Sequence, residues 1–131
     1  MILDTNVVID LIDGTGTAPF LDTVAQLLAE REACVNEIVF AEVSGRYPSA
    51  EAALGHLRLL GLPLRRMTPE HCHRAGQAFL RYRREGRDRT SILPDFLIGA
   101  HAAVQGWPII TRDRKGFARY FPEVELIDPY Q

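Results

Sequence analysis

Short aliphatic runs alternate with amphipathic helical segments along this chain, and that alternation restricts its fold more than any other feature. Strands and helices in such an order build an α/β sandwich whose sheet is mostly parallel. The expected architecture is a three-layer α/β/α sandwich around a mostly parallel central sheet, formed by residues 1–131 as one domain. No repeat, low-complexity segment or linker divides the chain.

Ile2–Leu3 makes a stub of strand before Asp4, and Val7 to Leu11 continue as a short helix ended by Gly14 and Gly16. Leu21, Val24, Ala25 and Leu28 have the spacing of a helix with one buried face. Ala33–Val35 suits a strand, and Glu37 to Val43 a helix. Ala53, Leu54, Leu57 and Leu60 line another helix that stops at Gly61. Leu62–Leu64 is a strand in which Pro63 limits pairing. Thr68 and Pro69 form an N-cap followed by proline at the first helical position. Ala75, Ala78, Phe79 and Tyr82 are that helix's apolar stripe, and Gly86 ends it. Pro94 opens a helix from Asp95 to Gln105. Ile109–Thr111 and Val124–Ile127 are the last two strands.

With 47% apolar and 24% charged residues the chain has enough apolar surface to offset the entropy of ordering itself. A formal net charge of −2 excludes a uniformly basic nucleic-acid binder, so any surface for RNA must be local. Lys115 is the only lysine; the predominance of arginine suits phosphate recognition but also follows from a codon bias. Cys34 and Cys72 read as buried thiols instead of a disulfide framework. The first apolar stretch, ILDTNVVIDLI, is broken by Asp4, Asn6 and Asp10 and lacks a basic leader, which reads against a signal peptide. No run approaches the roughly 20 apolar residues of a membrane span. A cytoplasmic location is the expectation.

Three acids stand where strands end or a helix begins: Asp4 after Ile2–Leu3, Asp95 just after Pro94, and Asp113 two residues past Ile109–Thr111. In open parallel sheets the carboxyl ends of the strands form the crevice in which sites lie. Below Asp95 the same helix face continues through Ile98, Gly99 and Ala102, so the acid tops a buried stripe. A carboxylate placed there is partly desolvated, and its pKa rises unless a partner stabilises the charge. Glu42, among Val39, Phe40, Ala41 and Val43, raises the same question. Each acid taken singly also fits a capping or ion-paired role. Four acids converging would need cations, and hard divalent ions such as Mg²⁺ or Mn²⁺ accept carboxylate and water oxygens. Two such ions roughly 4 Å apart activate a water and stabilise a leaving oxygen in phosphodiester cleavage.

The segments LDTNVVID, IVFAEV, LPDFLIGAHA and IITRDRKGF resemble, in order and spacing, the successive motifs of PIN-domain nucleases, in particular the toxin ribonucleases of VapBC-type toxin–antitoxin pairs. The resemblance runs from residue 2 to Pro129. It implies that Asp4, Glu42, Asp95 and Asp113 are the catalytic, metal-binding acids and that Asn6 and Thr111 orient them. It further implies Mg²⁺ or Mn²⁺ as cofactor, one or two ions per site, and single-stranded regions of RNA, frequently transfer RNA, as substrate. A homodimer and inhibition by a cognate antitoxin protein are implied as well.

Residues 81–90, RYRREGRDRT, hold five arginines. Arg83, Arg84 and Arg87 are candidates for contact with the RNA backbone, where phosphate interactions make affinity salt-dependent. The same stretch also reads as a solvated helix end or a surface for an acidic part of an antitoxin. His71, Cys72 and His73 point about 100° apart around a helix, which argues against a zinc site. His101 lies off the Asp95 face and reads as a packing or surface residue. Trp107 and Phe117 read as core or hinge aromatics, with base stacking as the alternative for either. The same residues bear on two other functions. A haloacid-dehalogenase-type phosphatase needs a second Asp two residues after the first, and Asn6 occupies that place. A non-catalytic PIN-like domain that binds RNA or protein is the other; its metal-binding acids would be expected to be replaced, yet all four positions are acidic.

Overall fold

The computed structural model describes residues 1–87 and 93–130. Strand β1 (Ile2–Leu3) leads into helices α1 (Thr5–Asp13), α2 (Ala18–Glu30), α3 (Glu37–Ser44), α4 (Ala50–Leu59), α5 (Pro69–Arg84) and α6 (Pro94–Gln105). Strand β2 (Ile109–Ile110), helix α7 (Arg114–Ala118) and strand β3 (Leu126–Ile127) complete the described chain.

Local chemistry sets these boundaries. Asn36 starts α3 by accepting the N–H groups of Ile38 and Val39, each at 3.1 Å, which satisfies donors that a helix leaves free at its first turn. Thr68 starts α5 with its own N–H donated to His71 Nδ1 at 2.8 Å. Gly14 and Gly106 close α1 and α6 in the left-handed region, at φ 65° and 70°, where a side chain would be strained.

The strands run parallel in the order β1-β2-β3. Parallel bridges from Ile2 to Cys34 and from Val35 to Leu64 extend the sheet beyond β1. Across the sheet the order is therefore Leu64, Cys34–Val35, β1, β2, β3. The chain first winds outward from β1 in one direction and then returns to wind outward from β2 in the other. The reversal falls between β1 and β2. Right-handed crossovers place helices that follow opposite winding directions on opposite faces of a parallel sheet. Helix α1 packs against α3, and α6 against α5, α3 and α7. The expected α/β architecture with its parallel sheet is the one that forms.

Ile2, Leu3, Ile109 and Ile110 are fully buried between these layers, with Phe117 and Phe121 among the large core side chains. Helix α6 buries almost its whole middle, from Phe96 through Ile98, Gly99, Ala100, His101 and Ala102. A Cβ on Gly99 would stand 2.4 Å from the Phe121 ring. The glycine is what lets the helix and that ring approach so closely.

Several expectations need correction. The strands are shorter than read: Ala33–Val35 and Leu62–Leu64 contribute only isolated bridges, and Thr111, Val124 and Glu125 lie outside the strands. Backbone pairing nonetheless runs past the strand ends, as Val35 N–H donates to Pro63 O at 3.1 Å and Thr111 N–H to Ile127 O at 2.9 Å. In α2 the buried pair is Phe20 and Val24, whereas Leu21 and Ala25 are exposed. Phe20 turns the helix inward because its ring stacks on Tyr130, with centroids 4.4 Å apart. Cys34 is buried, and desolvation pushes its thiol up to about 11. Cys72 is exposed, because α5 buries the His71 and Ala75 face instead.

His101 is buried, its Nδ1 3.2 Å from Asn36 Nδ2 and its ring 4.2 Å from that of His71. Burial and neighbouring His71 lower its pKa to about 4, so it packs as a neutral ring. Phe117 is core, and Trp107 is half-buried beside His101. Among the described residues no helix is long and apolar enough to cross a membrane.

Candidate active site

Sites in open α/β sheets form beyond the carboxyl ends of the strands at the point where the winding reverses. Here β1 delivers Asp4 to that point and β2 delivers Thr111. The two meet across it: Thr111 Oγ1 donates to Asp4 Oδ2 at 2.8 Å. Asn6 Nδ2 donates to the same oxygen at 3.2 Å, and Thr5 N–H donates to Asp4 Oδ1 at 2.8 Å. Asp4 is only 5% exposed. Burial raises its pKa against the lowering effect of the Thr111 and Thr5 hydrogen bonds, and the net shift is upward.

Thr111 has a second role. Its Oγ1 accepts the Asp113 N–H at 2.9 Å, which ties the loop after β2 to the acid after β1. Asp113 is exposed and caps α7, its Oδ1 accepting the Gly116 N–H at 3.1 Å. Asp95 stands in the first turn of α6, half-buried. Burial first, then the charges of Asp4, Asp113 and Glu42, push its carboxyl up to about 6. Among the described residues no hydrogen bond or cation lowers it in return. Arg112, next to Asp113 in sequence, places its guanidinium 3.6 Å from Asp10 instead.

Glu42 differs from expectation. It lies on the exposed side of α3, with Ala41, while Val39 and Val43 take the buried side. Its Oε1 accepts the Thr5 hydroxyl at 2.8 Å, so it reaches the crevice through the residue after Asp4. Thr5 was not singled out from sequence, although it stands between Asp4 and Asn6 in LDTN. Gly116 and Lys115 were also missed. Both line the cleft beside Asp95 and Asp113 with Arg87 and Arg119. Arg119 is committed to Glu85, its Nε donating at 2.9 Å. Arg83 and Arg84 project from the exposed end of α5 and do not line this cleft, and residues 88–90 of the arginine stretch lie outside the described residues.

The structure thus brings Asp4, Asp95, Asp113 and Glu42 within electrostatic reach of one another around a hydrogen-bonded centre. Among the described residues no group of three or more His, Cys, Asp or Glu side chains is gathered so as to hold a metal ion by itself. The donor set fits a hard cation held by one or two carboxylates and otherwise by water, as Mg²⁺ prefers. A separate cavity of about 430 Å³ opens near Met1, His71 and Trp107, and none of the four acids lines it.

An α/β domain with an acid-lined crevice at the winding reversal is the class that fold and site define. A sequence model of the PIN domain matches residues 1–121, and the chain belongs to the PIN domain family. No match appears among curated protein sequences. Solved structures with the same fold include VapBC-1 from nontypeable Haemophilus influenzae, 22% identical over 99% of this chain and 98% of that one with a TM-score of 0.75. DNA-bound VapBC from Salmonella typhimurium is 22% identical over 98% and 96% of the two chains, at a TM-score of 0.73. A toxin–antitoxin complex from Klebsiella pneumoniae is 23% identical over 99% and 98%, at a TM-score of 0.67.

Proposed function

We propose that this chain is a divalent-metal-dependent endoribonuclease that hydrolyses phosphodiester bonds in transfer RNA or other structured RNA, and that it is the toxin of a toxin–antitoxin pair. One observation carries the catalytic reading. Asp95 is held half-buried beside Asp4, Asp113 and Glu42, and burial and their charges push its carboxyl up to about 6. A fold does not keep such a cluster for stability, and clustered perturbed acids in a crevice mark functional sites.

Asp4, Asp95 and Asp113, with Glu42, would hold Mg²⁺ or Mn²⁺. Such an ion, when bound, lowers the pKa of water and stabilises the charge on a leaving oxygen. The protein's own residues supply position. Thr111 and Asn6 fix the Asp4 carboxylate, and Thr5 fixes Glu42. Lys115 and Arg87, on the wall of the same cleft, are placed to receive flanking phosphates. Membership of the PIN domain family supports nuclease chemistry. The likeness to VapBC and toxin–antitoxin complexes supports a cognate antitoxin as partner. A homodimer, a cytoplasmic location and a single domain over all 131 residues belong to the same reading.

The purified protein should cut transfer RNA with Mg²⁺ or Mn²⁺, stop with EDTA and resume when Mn²⁺ is restored. Equal cutting in EDTA would overturn the metal-dependent reading. The arginines separate in a salt series. Arg87→Ala should lower the slope of log affinity against log salt by about 0.7, the loss of one single-strand phosphate contact. Arg83→Ala and Arg84→Ala should leave that slope unchanged, since neither lines the cleft. Filter binding of single-stranded RNA across the series reads this out. A slope lowered equally by all three would place the RNA along the whole arginine stretch.

A further inference from the structure

Gly116 lies in the interior of α7 without the left-handed backbone that favours glycine. Inside a helix, glycine costs about 0.5–1 kcal/mol relative to alanine. Its backbone gives no reason for that cost, but its surroundings do. A Cβ at residue 116 would stand 2.9 Å from Asp95 Oδ2 and 2.9 Å from Asp113 Oδ2, closer than real Cβ atoms come to any neighbour. The glycine at 99 excludes a methyl to admit an aromatic ring. At 116 the excluded methyl would lie between two carboxylate oxygens, which cannot be more than twice that distance apart. The Gly116 N–H meanwhile holds the other oxygen of Asp113 at 3.1 Å.

We propose that Gly116 is a positioning residue of the active site: its missing side chain keeps open the space between Asp95 and Asp113 in which a hydrated divalent cation is seated. The inference rests on the metal-dependent reading above and adds a residue outside the acid set. A methyl group there displaces coordinated water, pushes the two carboxylates apart, or does both. It supplies no ligand in exchange. Mg²⁺ and Mn²⁺ keep several waters when protein-bound, so the loss of that volume weakens binding even with every acid present.

Mn²⁺ titration calorimetry on wild type, Gly116→Ala and Gly76→Ala tests this. Gly76, in the exposed face of α5, has nothing within 4 Å of its would-be Cβ and controls for helix propensity. Gly116→Ala should bind Mn²⁺ about 10- to 100-fold more weakly, the range typical of residues that orient metal ligands. In EDTA it should melt no lower than wild type. Its RNA cleavage should recover as Mn²⁺ is raised, which a purely structural lesion would not allow. Gly76→Ala should bind as wild type does. Wild-type Mn²⁺ affinity in Gly116→Ala overturns the inference, as does a Gly116→Ala protein that fails to fold in EDTA, since the glycine would then serve packing. Failure of the wild type itself to bind Mn²⁺ would instead sink the metal site as a whole.

Discussion

Asp4→Asn is expected to lower RNA cleavage by at least about a hundredfold while the protein stays folded. The substitution keeps the shape of the side chain and one carbonyl oxygen. That one oxygen can accept from Thr111 Oγ1 or from the Thr5 N–H but not from both, so the link between β1 and β2 survives in only one orientation of the amide. What disappears is the negative charge, and with it the attraction for a divalent cation at the winding reversal. The amide must also turn one NH2 donor toward Thr111 and Asn6 or toward Thr5, all of which now donate to the carboxylate. Against that stands relief, because burial already disfavours the charged form of Asp4. The two effects on stability oppose each other, whereas the effect on catalysis has one direction. Single-turnover cleavage at saturating RNA, run beside a melting curve, separates them. Wild-type turnover by Asp4→Asn would move the catalytic centre elsewhere.

The fold was legible because a parallel sheet leaves coarse marks. Buried apolar runs such as Ile2–Leu3 and Ile109–Ile110, separated by helix starts at Thr68 and Pro94, suffice to give element type and order. Strand length was less legible. Cys34, Val35 and Leu64 pair through single bridges, and nothing in the composition of residues 33–35 or 62–64 separates a bridge from a ladder. Leu21 misled for a related reason: its spacing fits a buried stripe, but the tertiary stack of Phe20 on Tyr130 rotates α2 by one residue. The acids themselves were visible at the ends of elements. Their convergence was not, because it depends on the order of strands. Only that order sets Asp4 beside Thr111, 107 positions apart in sequence. Gly116 shows the limit most clearly. In sequence it is one glycine in RDRKGF, and its meaning lies in two oxygens from Asp95 and Asp113 that arrive from different elements.

Asp95→Asn is expected to abolish detectable cleavage and, in EDTA at pH 7, to make the protein more stable than wild type. The sign follows from the titration. The Asp95 carboxyl is raised to about 6 in the folded protein, from an ordinary value of 3.8. Between those values the folded state holds more protons than the unfolded one, so stability falls as pH rises through that window and levels off above it. Asparagine carries no charge to desolvate or repel. The variant's advantage should therefore be small near pH 4 and full by pH 7. After allowance for solvent screening of a half-buried group, it amounts to about 1–2 kcal/mol, or roughly 5 °C in melting temperature. Mn²⁺ should reverse the order. An ion at a hundred times its dissociation constant stabilises the state that binds it by about 2.7 kcal/mol, and only the wild type retains the full acid set. Melting curves of both proteins at pH 4.5 and 7, each in EDTA and in Mn²⁺, would show the crossover. A variant less stable than wild type in EDTA at pH 7 would mean that Asp95 serves folding. On the metal-dependent reading, bound cation offsets what Asp95 costs the fold in stability.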